Sequence, residues 1–133
     1  MENGPSENRI NVVFLSEAYV ASQRETYFND VAIATEGLFN FTPFKEYRNY
    51  FNAYAIWVAS RDSILAEVPW GEEPRTYFGR PYSDDTANLT LKSLLPTANS
   101  IVTVMLINDD RVTAAGSKSS TFVGSMAIGT GRL

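Results

Sequence analysis

The sequence contains neither cysteine nor histidine. Without cysteine there is no disulfide, no thiol nucleophile and no thiolate metal ligand. Without histidine the usual general base and the usual transition-metal ligand are missing. A Ser-His-Asp triad or a typical zinc site is therefore impossible within these residues alone, and only oxygen-ligand metals such as magnesium or calcium remain easy. Charge is scattered: 11 basic and 15 acidic residues give a net −4. A nucleic-acid partner needs a basic face, and none is visible. No apolar run reaches the roughly 18–20 residues that span a bilayer, so no membrane partner is expected. Residues 1–8 are polar and lack the basic and apolar regions of a signal peptide. That fits a cytoplasmic protein or a piece of a longer precursor. These eight residues are read as a flexible lead-in to one domain, residues 9–133.

The longest apolar run is Ile101-Val102-Thr103-Val104-Met105-Leu106-Ile107. It reads as the centre of a sheet. A second β-branched run, Ile10-Asn11-Val12-Val13-Phe14-Leu15, reads as another buried strand ending at Glu17. Residues 51–58 have strand composition, and residues 121–128 read as an edge strand of small residues. Between the first two strands, Ser22-Gln23-Arg24-Glu25 fits a capping box. Phe28, Val31, Ala32, Thr35, Leu38 and Phe39 then mark one apolar face of a helix over 22–39. Burial of Phe28, Leu38 and Phe39 is expected to contribute about 1.5–3 kcal/mol each before entropy is subtracted. Thr42-Pro43 looks like the start of a short second helix through Arg48. Leu89, Leu91, Leu94 and Leu95 suggest a brief helix ended by Pro96. Residues 60–88 read as a long loop carrying Trp70, Tyr77, Phe78 and Tyr82, with a short strand at 76–78. The order strand, helix, strand implies a right-handed βαβ crossover. The fold expected is α/β, a three-layer sandwich around a mixed sheet.

Candidate chemistry follows from this order. Glu17, Asp109 and Asp110 stand at strand ends, where open α/β sheets gather their sites. Together they would suit magnesium and a phosphoryl-transfer reaction; alternatively they are solvated turn residues. Gly116-Ser117-Lys118-Ser119-Ser120 superficially suggests a phosphate loop, but Val112 and Ser117 occupy positions where the motif needs glycine. A flexible surface loop is the plainer reading. Gly124-Ser125-Met126-Ala127 does not match a nucleophile elbow. An edge there suits an extended peptide added as a strand, or pairing with a second copy. The four loop aromatics either line a groove or anchor the loop to the core.

Several blocks together resemble the IgA-peptidase family of zinc metallopeptidases. Residues 8–19 are similar to the family's opening strand, NRINVVFLSEGY, with Ala18 where glycine is common. Residues 43–54, 76–79 and 102–109 are similar to later blocks, so the resemblance spans roughly residues 8–110. It implies a zincin-like metalloprotease fold. A His-Glu-x-x-His helix would supply two zinc ligands and the glutamate that activates water. In zincins that helix follows an edge strand against which the substrate peptide lies antiparallel, and residues 121–128 stand in that place. The resemblance thus implies substrate contacts at Phe122, Val123, Gly124, Ser125, Met126 and Ala127. No zinc ligand and no catalytic residue carries over, so no cofactor is expected in this chain and zinc only in a full-length parent. The expectation is the N-terminal portion of a peptidase domain, inactive alone, from a secreted or cell-surface parent. A non-catalytic peptide-binding module and a magnesium enzyme are the alternatives. After residue 110 family members are rich in glycine, whereas residues 112–120 hold only Gly116.

Overall fold

Val12, Val13, Phe14 and Leu15 put apolar side chains on both sides of one strand, as a parallel strand covered on both faces requires. The structure, a computed structural model, describes residues 1–62, 76–78, 84–108, 115–118 and 123–129. In it β1 (Ile10–Glu17) lies between β2 (Phe51–Ile56) and β3 (Ser100–Ile107), parallel to both. The register pairs Ile10 with Phe51 on one side and with Ser100 on the other, and Glu17 with Ile107. Beyond β3 runs a parallel β5 (Val123–Gly129), and outside it an antiparallel β4 (Ala115–Lys118). The sheet is therefore mixed, in the order β2-β1-β3-β5-β4.

Alternation along the strands divides the core in two. Val12, Phe14, Val104 and Leu106 face α1 (Arg24–Phe39) and pack with its Tyr27, Val31 and Phe39. Val13, Leu15, Met105 and Ile107 face the other way, toward Ala87 and Leu91 of α2 (Asp84–Leu94) and toward Phe78. One helix covers each face, which makes the chain α/β. Among the described residues no helix is long and apolar enough to cross a membrane.

Five details differ from the sequence reading. The buried face of α1 is rotated: Tyr27 is a core anchor, Phe28 and Leu38 are only half-buried, and Ala32 is exposed. Tyr27 lies outside the face expected from the spacing; its hydroxyl donates to Phe14 O at 2.8 Å and Ile56 O at 3.0 Å, so it enters the core satisfied. The Ser22–Glu25 capping box is not formed. Its place is taken two residues earlier, where Gln23 Oε1 accepts Val20 N–H at 3.0 Å and Val20 O accepts Gln23 N–H at 2.8 Å. Residues 42–47 form turns, not a helix; the Thr42–Pro43 bond is cis, and a 3-10 turn at Arg48–Tyr50 leads into β2. Residues 76–78 form a bend rather than a strand.

The fifth correction concerns the edge. Residues 121–128 were expected to form it, but β4 pairs with β5 from Ala115↔Ala127 to Lys118↔Gly124 and takes the edge itself. Ala-Gly-Ser-Lys has no β-branched or aromatic residue, so its composition reads as loop; backbone pairing to β5 makes it a strand regardless. A short edge carrying lysine is also a common guard against unwanted pairing. Gly116, Ser117 and Lys118 thus lie in a strand, which rules out a phosphate loop opening a helix there.

The first residues of the chain run along β2. Met1 N donates to Ala53 O at 3.0 Å and Ala53 N–H returns a bond to Met1 O at 2.8 Å. Asn3 Nδ2 donates to Phe51 O at 2.9 Å and to Arg48 O at 3.0 Å.

Candidate functional site

Because four strands are parallel, their carboxyl ends gather on one side of the sheet, the usual place for a site in this architecture. β1 ends there in Ser16-Glu17-Ala18-Tyr19. Glu17 is the group that stands out: it is 0 % exposed. Its Oε1 accepts the N–H of Ala18 at 3.0 Å. Its Oε2 has no hydrogen bond among the described residues. Burial drives its pKa upward, outweighing the opposite pull of the Thr76 side chain, the Ala18 and Phe78 backbone and the Ser60 side chain. An ionised carboxylate with an open oxygen in such a place is costly.

The backbone around Glu17 is held from three directions. Ser16 Oγ donates to Val58 O at 2.7 Å and accepts Val58 N–H at 2.8 Å, extending the β1–β2 ladder by a side chain. Asn108, just past β3, donates its N–H to Glu17 O at 3.0 Å and its Nδ2 to Ala18 O at 3.2 Å. Ser60 N–H donates to Tyr19 O at 2.8 Å, and Tyr77 N–H reaches Ser60 Oγ at 3.4 Å. Below the turn, Tyr19, Tyr27 and Trp57 stack edge to face or tilted, Tyr19 and Tyr27 with centroids 5.3 Å apart. Tyr19 OH donates to Asp30 Oδ2 at 2.8 Å.

Ala18 itself has φ 61°, in the left-handed region that favours glycine. This gives a physical reason for the glycine expected at that position in the resembling family: the chain must turn sharply off β1. Here alanine accepts the strain, and its methyl group is buried in the α2-side core.

Of the residues singled out in the sequence, Glu17 is thus placed in a buried polar junction with Ser60, Thr76 and Phe78. Asp109, Asp110, Trp70, Tyr82 and Phe122 lie outside the described residues, so the expected grouping of three carboxylates is not assembled among those described. Tyr77 is 49 % exposed, while Phe78 is 1 % exposed and serves as a core anchor of its segment. Of the loop aromatics, these two contact each other, with centroids 4.9 Å apart. Val123 to Ala127 fall in β5, an inner strand, and the backbone of Gly124–Ala127 is paired on both sides. Ser16, Ser60 and Asn108 were missed. The only sequence signal was a polar residue directly after an apolar strand, which is also what an ordinary turn looks like.

Chemically, this junction holds a proton or accepts a hydrogen bond. Among the described residues no three His, Cys, Asp or Glu side chains cluster closely enough to hold a metal ion.

Comparison with known families gives one result. The family model described as IgA Peptidase M64 matches residues 1–107, from the start of the chain through the last residue of β3. No curated protein matches the sequence. The chain belongs to the IgA peptidase M64 family.

Proposed function

We propose, from membership of the IgA peptidase M64 family, that residues 9–133 are the N-terminal, sheet-bearing portion of a zinc metallopeptidase domain of zincin-like fold, whose substrate is a protein or peptide. The observation that carries this is the extent of the family match, which takes in β1, α1, β2, α2 and β3. The residues present do not fit zinc: the sequence offers no imidazole and no thiolate, and the described carboxylates do not cluster. The metal ligands and the water-activating glutamate therefore have to come from outside these 133 residues.

In this reading the chain's own contribution is positional. The parallel strands make a rigid platform, and β4 and β5 form its far side. Substrate contact at Phe122–Ala127 is retained as a proposal for side chains only. Backbone pairing with an extended peptide passes to β4, because β5 already has a strand on each side.

The test is direct. The chain is incubated with zinc and a fluorogenic casein, and no metal-dependent turnover is expected. Robust zinc-dependent cleavage would overturn the reading. Sequencing the coding region on the 3′ side gives an independent check: a His-Glu-x-x-His motif within a few tens of codons supports the peptidase, and an immediate stop favours a peptide-binding module.

A further inference from the structure

Asn3-Gly4 is the only asparagine–glycine pair in the sequence. Such a pair is chemically labile, because the glycine amide nitrogen, unhindered by a side chain, can attack the asparagine side-chain carbonyl. The fold asks for both residues. Asn3 Nδ2 donates to Arg48 O at 3.0 Å and to Phe51 O at 2.9 Å, and Asn3 N–H donates to Asn52 Oδ1 at 2.7 Å. Asn3 O accepts Arg9 Nη2 at 3.1 Å, and Gly4 O accepts Asn52 Nδ2 at 2.9 Å. A Cβ on residue 4 would come within 2.6 Å of the Arg9 guanidinium carbon. Any side chain there would push the guanidinium off Asn3 O. Glycine thus leaves room for Arg9, and asparagine supplies the two amide hydrogens that the Arg48 and Phe51 carbonyls receive.

The same bonds oppose the reaction. Ring closure requires the Asn3 side chain to bring its carbonyl carbon onto Gly4 N. Its amide nitrogen is held on two carbonyl oxygens, and the backbone on either side is held by Asn52 and Arg9. This latch must open first. The rate in the folded chain is then the free-peptide rate multiplied by the open fraction.

We propose that Asn3 is a modification site, a deamidation clock that the latch to Asn52, Arg48 and Phe51 holds closed and whose product cannot close the latch again. In the first step a bond forms from Gly4 N to Asn3 Cγ. The Gly4 N–H proton passes to hydroxide or a buffer base, and the side-chain nitrogen takes a proton from solvent and leaves as ammonia. Water then opens the succinimide ring. Cleavage between Gly4 N and Cγ gives aspartate; cleavage between Gly4 N and the Asn3 backbone carbonyl carbon gives isoaspartate, whose main chain is one methylene longer. Either product carries a carboxylate where the amide stood. It has no hydrogen to offer Arg48 O and Phe51 O, and it repels both. Isoaspartate also shifts Met1 relative to Ala53, whose N–H donates to Met1 O at 2.8 Å. Residues 1–3 are thereby released from β2. The clock lies at the amino ends of the parallel strands and does not rest on the metallopeptidase reading.

The test ages the whole chain in mildly alkaline buffer beside the free peptide of residues 1–9. Tryptic mapping with tandem mass spectrometry locates the conversion of amide to acid, and labelling by an isoaspartyl methyltransferase counts isoaspartate. Conversion is expected at Asn3, at least about tenfold slower in the folded chain than in the peptide. Asn52→Ala should return the rate toward that of the peptide. Asn3→Asp, which is one of the products made directly, should keep the circular dichroism spectrum while the Ala53 amide exchanges hydrogen at least about tenfold faster. Equal rates in folded chain and peptide overturn the proposal, and so does a folded chain whose Asn3 never converts. An Ala53 amide as protected in Asn3→Asp as in wild type overturns it too. These comparisons decide the matter even if Asn52→Ala fails to fold.

Discussion

The two ends of the parallel sheet are built on opposite principles. At the amino ends of β1 and β2, two buried asparagines meet. Asn52 Nδ2 donates to Asn11 Oδ1 at 3.1 Å and to Gly4 O at 2.9 Å, and Asn52 Oδ1 accepts Asn3 N–H at 2.7 Å. Asn11 Nδ2 serves Ser6 O, Arg9 O and Ser100 O at 2.8–3.0 Å. Every side-chain amide atom of the pair has a partner, and the chain's first residues are tied to three strands. At the carboxyl ends, Glu17 is equally buried but one of its oxygens has no partner among the described residues, and the next residue sits in the left-handed region. At one end the two buried asparagines have every side-chain polar atom satisfied. The other retains a buried acid that its donors offset only in part, together with backbone strain, and such features concentrate where a protein acts rather than where it is merely held together.

The largest effect should come from breaking the satisfied end. Asn52→Ala strands Asn11 Oδ1, Gly4 O and Asn3 N–H together. With each orphaned buried group costing about 1–3 kcal/mol and some regaining water, a net loss of about 3 kcal/mol is expected. Urea unfolding of the variant measures it. A loss under about 1 kcal/mol would mean that water replaces the latch easily, and the contrast between the two ends would collapse.

This asymmetry also sets how much was legible beforehand. Continuous apolar runs at residues 10–15 and 101–107 marked β1 and β3 because a strand buried on both faces must be apolar on both. Helix α1 was visible from its period, but its facing was misjudged by about one position, with Tyr27 outside the face expected from the spacing. Strand β4 was invisible, since Ala115, Gly116, Ser117 and Lys118 carry no strand preference and owe their state to pairing. Asn11 and Asn52, inside strand-like segments, looked like outward-facing polar residues; their burial depends on partners about 40–90 positions away. Glu17 was noticed for its place at a strand end, but local sequence says nothing about whether such a residue is solvated. Family membership came from the residue pattern of whole blocks, which carries more than any single position.

At the other end, Glu17→Gln should have the reverse sign. Its carboxyl pKa is raised in the folded state, mainly by burial, from an ordinary value of 4.5. The folded protein then binds the proton more tightly than the unfolded chain. Stability is greatest below the unfolded pKa, falls as pH rises from there through the folded pKa, and is level above it. The amide cannot ionise and lacks this fall. The difference between wild type and Glu17→Gln should therefore widen with pH across that window, in favour of the variant once the wild-type side chain is charged. Chemical denaturation at a series of pH values reads this out. A variant less stable than wild type at neutral pH would show that the surrounding donors, Ala18 N–H among them, compensate the carboxylate fully.

The smallest effect is at Ala18, where three contributions nearly cancel. Relief of the left-handed strain by Ala18→Gly gains about 1–2 kcal/mol. The added freedom of glycine in the unfolded chain takes back about 0.5–1 kcal/mol. Loss of one methyl group from the α2-side core, where Ala18 is 0 % exposed, takes back about 0.8 kcal/mol more. The net change should lie within about 0.5 kcal/mol of zero, read as a shift of only a few degrees in melting temperature. Ala18→Val provides the contrast, since a β-branched residue at φ 61° adds strain and volume together and should cost well over 2 kcal/mol. Should Ala18→Gly instead stabilise by more than 1 kcal/mol, the methyl contributes nothing to packing, and the strain at the end of β1 is held there without compensation from the core beside it.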